Sequence, residues 1–274
     1  MKYLLLSSCV LMLACQPQAR LQLANAARQP ARAAGLALVK SLSPELRAEL
    51  QARDLAPLLQ TVNGSTGYAQ NGFFGPDHYR IELAFAEVRR DPAHPTHYFL
   101  RGKDRYKGRI TPFAGTFVMS RFDEQPADTS QHEALRLQRQ VIGSAEGHFE
   151  LREETTRLHA GLFQGQLNID FVASRNGSLF LDTESEKLPS KGGNITYAGT
   201  WTDNNTHRMQ PVVWVDDIVA YGNANKVLAD FAFVERHPYF NPKYARLGWN
   251  NYWSNEEWWA DAAPRGKAAT HSDI

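Results

Sequence analysis

From about residue 72 the apolar residues recur at every second position. Tyr79, Ile81, Leu83 and Phe85 alternate with Arg80, Glu82, Ala84 and Ala86, the pattern of a strand buried on one face. The same reading predicts strands near 97–102, 106–111, 113–122, 145–155 and 162–173. Leu179-Phe180-Leu181 and segments near 194–202, 209–221 and 227–235 continue the series. Arg175-Asn176-Gly177-Ser178 suits a hairpin turn, because Asn-Gly accepts positive φ. Asp203-Asn204-Asn205 and Gly222-Asn223-Ala224-Asn225 are also turn-like. Residues 123–138 are polar, have no period and contain Pro126, which predicts a loop. The chain is therefore mainly β, with roughly eight to ten strands and no strand–helix alternation. An antiparallel meander closing into a barrel over 70–236 is expected, with a β-sandwich as the alternative.

A recurrence favours the barrel. Phe113-Ala-Gly115-Thr-Phe117, Phe163-Gln-Gly165-Gln-Leu167 and Tyr197-Ala-Gly199-Thr-Trp201 share an aromatic-x-Gly-x-apolar pattern. On a strand these three positions point to one face. A glycine there lets the strand coil sharply or a large neighbouring ring lie over it. Gly199-Thr200-Trp201 resembles the Gly-x-Trp of lipocalin-like and avidin-like barrels, although there the motif opens the first strand and here it falls late. The resemblance implies a closed antiparallel barrel and assigns no ligand.

Helical periodicity is confined to the ends. Ser43 caps and Pro44 suits a first helical position. Leu46, Leu50, Leu55, Leu58, Leu59 and Val62 then form an apolar stripe until Asn63-Gly64, which predicts a helical segment over 43–63. Asp54 and Pro57 mark a break within it. The stripe is expected to pack on the main domain; a partner-binding helix is the sharper reading. At the other end, Ser254-Asn255-Glu256-Glu257 reads as a capping box and predicts a short helix over 255–261.

The first residues carry an address. Lys2 is followed by an almost unbroken apolar run from Tyr3 to Leu13, too short to span a bilayer and suited to a secretory signal. Leu11-Met12-Leu13-Ala14-Cys15 resembles the lipobox of bacterial lipoproteins, with Met12 and Leu13 standing where those families usually carry Leu and a small residue. The resemblance implies cleavage after residue 14, lipidation of Cys15 and a membrane tether outside the cytoplasm. Gln16, rather than Asp, follows the cysteine, which by the same resemblance leans towards the outer membrane. Residues 15–42 then read as a lipidated tether, rich in Ala, Gln and Arg. Its cations suit anionic headgroups, and a merely solvated linker accounts for them equally.

Composition narrows the chemistry. Cys9 and Cys15 are the chain's 2 cysteines, so a mature domain beginning at Cys15 has no disulfide and no thiolate metal site. A net charge of +1 gives no argument for nucleic-acid binding. The chain carries no dinucleotide fingerprint, phosphate-binding loop or Gly-x-Ser-x-Gly. His132-Glu133-Ala134-Leu135-Arg136 lacks the second zinc-protease histidine. His94 and His97 lack an evident third ligand. No metal or cofactor is expected.

Two groups stand out as candidate ligand contacts. Arg101, Lys103, Arg105, Lys107 and Arg109 alternate strictly. Lining the inside of one strand they would make an anion site. With a turn at Gly102-Lys103-Asp104, the expected arrangement, they sit on a hairpin's outer, solvated face. The segment 237–274 is rich in aromatics, among them Trp249, Trp253 and Trp258. With Trp201 these could stack on a ligand; an aromatic cap that closes one barrel end is the simpler expectation. Glu153-Glu154 and Asp216-Asp217 are adjacent on strands, so each pair diverges to opposite faces. The chain is thus expected to be a membrane-anchored envelope protein, a non-catalytic binder of a small or glycan-like ligand. The alternatives are a scaffold for another envelope protein and a glycan-acting hydrolase with two facing carboxylates beside Trp side chains.

Overall fold

The computed structural model describes residues 44, 48, 53–61, 68–124, 141–155, 159–174, 178–181, 188–221, 233–234, 237–238, 242–252, 254 and 257–260. Cys15 and the tether, residues 125–138 of the loop expected over 123–138, the turn at 175–177, the turn at 222–225 and Trp253 lie outside the described residues; Asp123 and Glu124, expected in that loop, are instead strand residues paired with Ser144 and Gly143.

Eight antiparallel strands close on themselves. They are β1 (Gln70–Phe74), β2 (Tyr79–Arg90), β3 (His97–Tyr106), β4 (Arg109–Glu124), β5 (Val141–Glu153), β6 (Gly161–Ala173), β8 (Ile195–Asp203) and β9 (Met209–Val215). Each pairs with the next, and β1 closes against β9 through Asn71↔Val215 to Phe74↔Val212. β7 (Leu179–Leu181) is an extra strand on the last residues of β6. The mainly β expectation and the closed meander both hold, and the sandwich alternative is excluded.

The glycine recurrence sits where strands approach closely. Gly165 and Gly199 face each other across the β6–β8 pair, flanked by Phe163↔Trp201 and Leu167↔Tyr197. A Cβ on either would overlap the neighbouring strand's backbone, and the same holds at Gly115. Close backbone approach is what a tightly coiled barrel wall demands.

Two expectations are corrected. No turn interrupts Gly102-Lys103-Asp104: β3 runs unbroken to Tyr106, and the chain reverses at Lys107 and Gly108, both with positive φ. Gly102 is needed there because the Phe113 ring lies over it. The segments expected at 106–111 and 113–122 are consequently one strand, β4, with Pro112 paired to Lys103. At the C-terminus, 258–259 form a turn rather than part of a helix, and the regular elements are 3₁₀ turns over Pro242–Leu247 and Trp249–Asn251. This segment packs on the barrel's outer wall instead of closing an end. Trp249 is buried with Phe73, Val215 and Ile218, all outside the barrel, and Trp259 packs on Ala69 and Ala84.

One barrel end is closed by the N-terminal segment. Its described helical turn, α1 (Ala56–Leu59), puts Leu55, Leu58 and Leu59 into the main core at 0% exposure. The Leu55 N–H donates to the Tyr98 hydroxyl at 3.3 Å, and Phe85 N–H donates to Thr61 Oγ1 at 2.9 Å. The middle of the barrel is filled by rings. Tyr197 stacks on Trp214 with centroids 4.7 Å apart, and Phe85, Phe117 and Phe149 surround Tyr197. This packing holds the barrel without disulfides, since large rings supply most of the buried apolar area.

Candidate functional site

The opposite barrel end is open. Tyr98 and Tyr106 mark the two ends of β3: the first meets the α1 plug, the second lines a cavity of about 620 Å³. The cavity mouth is framed by the turns joining β1 to β2, β3 to β4, β5 to β6 and β8 to β9.

An aromatic arc forms one wall. Tyr106 lies 4.5 Å from Phe74, and Phe74 lies 5.3 Å from Trp201, centroid to centroid. Trp201 reaches this position because Gly161, on the neighbouring strand, has no side chain; a Cβ there would overlap the indole. A ring likewise lies over Gly102, whereas the recurring Gly115, Gly165 and Gly199 make room for neighbouring backbone.

Two carboxyls lie at the cavity's inner surface. In β3 the inward positions are Tyr98, Leu100, Gly102, Asp104 and Tyr106, so Asp104 is the one acid on an otherwise apolar and aromatic face. Glu153 takes the corresponding place at the end of β5, after Phe149 and Leu151. Asp104 is 2% exposed and Glu153 6%, whereas Glu154 is exposed, so this adjacent pair diverges as expected.

Their surroundings differ. Glu153 Oε2 accepts from the Trp201 indole N–H at 2.6 Å and from the Gly161 N–H at 2.6 Å. Asp104 Oδ2 has no hydrogen-bond partner among the described residues. Burial pushes both carboxyls above the ordinary range. For Asp104 the neighbouring Glu153 charge raises it further, while Arg109 opposes; for Glu153 the Trp201 and Gly161 hydrogen bonds oppose. The two carboxyls thus share the direction of their shift and differ in hydrogen bonding: Glu153 is well bonded, whereas one oxygen of Asp104 is not.

The rim is mixed in charge. Lys107 Nζ sits over the Tyr79 and Tyr106 rings at 4.8 and 5.2 Å. His159 Nδ1 is 3.5 Å from Asp203 Oδ2, and Asp203 is held below the usual carboxylate range mainly by the Thr206 and Asn205 N–H groups. Arg109 and Arg208 also line the cavity, and neither guanidinium has a hydrogen bond or ion pair among the described residues.

The candidate ligand residues are dispersed. Trp201 alone among the described tryptophans reaches the cavity. Trp249 is fully buried on the outer wall, where it donates to His78 O at 3.2 Å. Arg101, Lys103 and Arg105 lie on the outer face of β3. Arg101 bonds Glu87 at 2.6 Å, Lys103 donates to Trp259 O at 2.9 Å, and Arg105 bonds Glu82 at 2.6 Å beneath the Trp258 ring. Of the alternating cations, Lys107 and Arg109 line the mouth, because the turn carries the chain back there. The sequence reading places Asp104 only in a turn and Glu153 only in a diverging pair, although an acid at an inward position of an apolar alternation is a legible signal. His94 and His97 have ring centroids 5.5 Å apart, and no group of three metal-ligating residues exists among the described residues.

Comparison with protein-family models, with curated proteins and with solved structures finds no match.

Proposed function

We propose that this chain is a lipid-anchored envelope protein whose barrel binds a small, ring-bearing organic ligand in its mouth. The observation that carries the reading is the cavity of about 620 Å³ at one end of a barrel whose middle is packed and whose other end is plugged. Its size falls within the roughly 300–1,000 Å³ of ligand pockets, and an aromatic wall with a few convergent polar groups is their usual lining. The anchor rests on the lipobox-like Leu11–Cys15. Among the described residues no helix is long and apolar enough to cross a membrane.

Two experiments test the two halves. Cys15→Ser should abolish incorporation of labelled fatty acid and release the protein from membranes; unchanged membrane retention would sink the anchor. For the binding half, ligand-induced quenching of tryptophan emission should be lost in Trp201→Phe. No quenching or thermal shift across sugars, lipids and aromatic acids would overturn the binding reading.

A second reading is favoured by Asp104 and Glu153. Two buried carboxyls, both pushed above the ordinary range, beside a Trp in one pocket resemble the carboxyl pair that glycoside hydrolysis uses. Turnover of aryl glycosides that vanishes in both Asp104→Asn and Glu153→Gln would convert the binder into a hydrolase. The scaffold reading loses its proposed docking stripe around Leu55, Leu58 and Leu59, which the barrel buries.

A further inference from the structure

The mouth contains unsatisfied polar groups of both kinds. Asp104 Oδ2 is a buried atom without a partner among the described residues. A buried polar atom left unmade costs free energy, and a ligand that supplies the missing bond recovers it. On the same cavity surface, the guanidiniums of Arg109 and Arg208 carry donors that no described residue uses. A guanidinium presents five N–H groups and accepts nothing, so a ligand there must accept.

One oxygen type satisfies both demands. A hydroxyl donates one hydrogen bond and accepts two. A purely cationic ligand would leave the arginine donors unused and meet their charge. A purely anionic ligand would face Glu153 and Asp203. The remaining lining is an arc of rings, Tyr106, Phe74 and Trp201, against which the C–H face of a saturated ring packs.

Resting on the binding reading above, we infer that the ligand is a neutral polyhydroxylated ring, one or a few saccharide units. A hydroxyl bonds Asp104 at the inner surface while others accept from Arg109 and Arg208. Asp104 supplies its own proton or accepts the sugar's, since a hydroxyl suits either state. Glu153 acts through Trp201: its carboxylate fixes the indole whose ring packs on the sugar, which makes Glu153 a positioning residue.

The test uses one ring in three charge states. Methyl glucoside, glucuronic acid and glucosamine, with the corresponding galactose and mannose series, are titrated into the full-length protein by calorimetry and tryptophan fluorescence. At least one neutral glycoside should bind at least tenfold tighter than its acid and amine counterparts. Asp104→Leu and Arg109→Met should each weaken that binding at least tenfold. Leu has nearly the shape of Asp and removes a buried carboxyl oxygen without a partner, so the variant should fold about as stably as the parent. Preference for the acid or the amine, or sugar binding indifferent to both substitutions, overturns the inference. Binding of aromatic acids or lipids without any glycoside overturns it while leaving the broader binding reading intact. The absence of any ligand overturns both.

Discussion

The indole N–H of Trp201 donates to Glu153 Oε2 at 2.6 Å, and the Gly161 N–H donates to the same oxygen at 2.6 Å. One carboxylate oxygen thus ties three strands together at the barrel mouth: β8 through Trp201, β6 through Gly161 and β5 through Glu153 itself. Replacing Glu153 by Leu strands two buried donors, at roughly 1–3 kcal/mol each. Urea unfolding should show a loss of about 2–6 kcal/mol, with Trp201 emission shifted by its altered surroundings. A loss below the precision of the measurement would mean the bond is replaced by water.

Glycine substitutions should sort by what a Cβ meets. Gly199→Ala overlaps Gln164 O and the Gly165 Cα, and Gly165→Ala overlaps Ala198 O. Each should cost upwards of 3 kcal/mol, in the range reserved for core overpacking and strained backbone. Because the two face each other, the double variant should lose less than the sum. Gly108→Ala meets open space at φ 77° and should cost only about 1–2 kcal/mol, the penalty of a left-handed non-glycine residue. Chemical denaturation of the four proteins checks the order.

The outer wall carries a buried charge network. Glu82 bonds Arg80 at 2.9 Å and Arg105 at 2.6 Å, and Arg80 Nε donates to Asn71 Oδ1 at 2.8 Å. Arg80 is 5% exposed, and burial lowers its pKa against the opposing pull of Glu82. Glu82→Leu removes the carboxylate that the buried Arg80 and its neighbour Arg105 share and should cost about 3–5 kcal/mol. Arg101→Ala breaks an exposed ion pair with Glu87 and should cost less than about 1 kcal/mol. Equal effects in thermal unfolding would contradict this reading of burial.

Asp216 sets a pH signature. Burial pushes its carboxyl up to about 6, with the Asn194 hydrogen bond opposing and the Asp217 charge adding to the rise. A raised acid binds its proton more tightly when folded. Its stabilising contribution is therefore present below the ordinary pKa of 3.8 and is lost as pH rises towards 6. Asp216→Asn should be more stable than the parent at pH 7 by roughly 1–2 kcal/mol, and the advantage should shrink between pH 6 and 4. A pH-independent difference would assign the effect to packing.

The α1 plug and the mouth show where sequence reading succeeds and stops. Alternation identified β2, β5, β6 and β8 because a strand with one buried face must repeat every two residues. The stripe through Leu55, Leu58 and Leu59 was legible as a buried helical face for the same kind of reason. The turn between β3 and β4 was misplaced because Gly102 and Gly108 look alike in sequence. One makes room for the Phe113 ring and the other takes a positive φ. The C-terminal aromatics were legible as buried rings, but their seat on the outer wall depends on Phe73, Ala84 and Val215, residues far away in the chain.

Strand periodicity, the antiparallel class, the glycines at close strand approaches and the diverging Glu153-Glu154 pair are all legible in the residues themselves. Each follows from local geometry: the period of two and the missing Cβ act within a few residues. Only the tertiary structure decided that β1 closes on β9, that one end is plugged while the other holds a cavity, and that Asp104, Glu153, Arg109 and Trp201 meet there. These residues come from four strands, and closure of the sheet alone sets their separation. Burial beside Glu153 then pushes the Asp104 carboxyl above the ordinary range, which no local feature of its neighbours predicts.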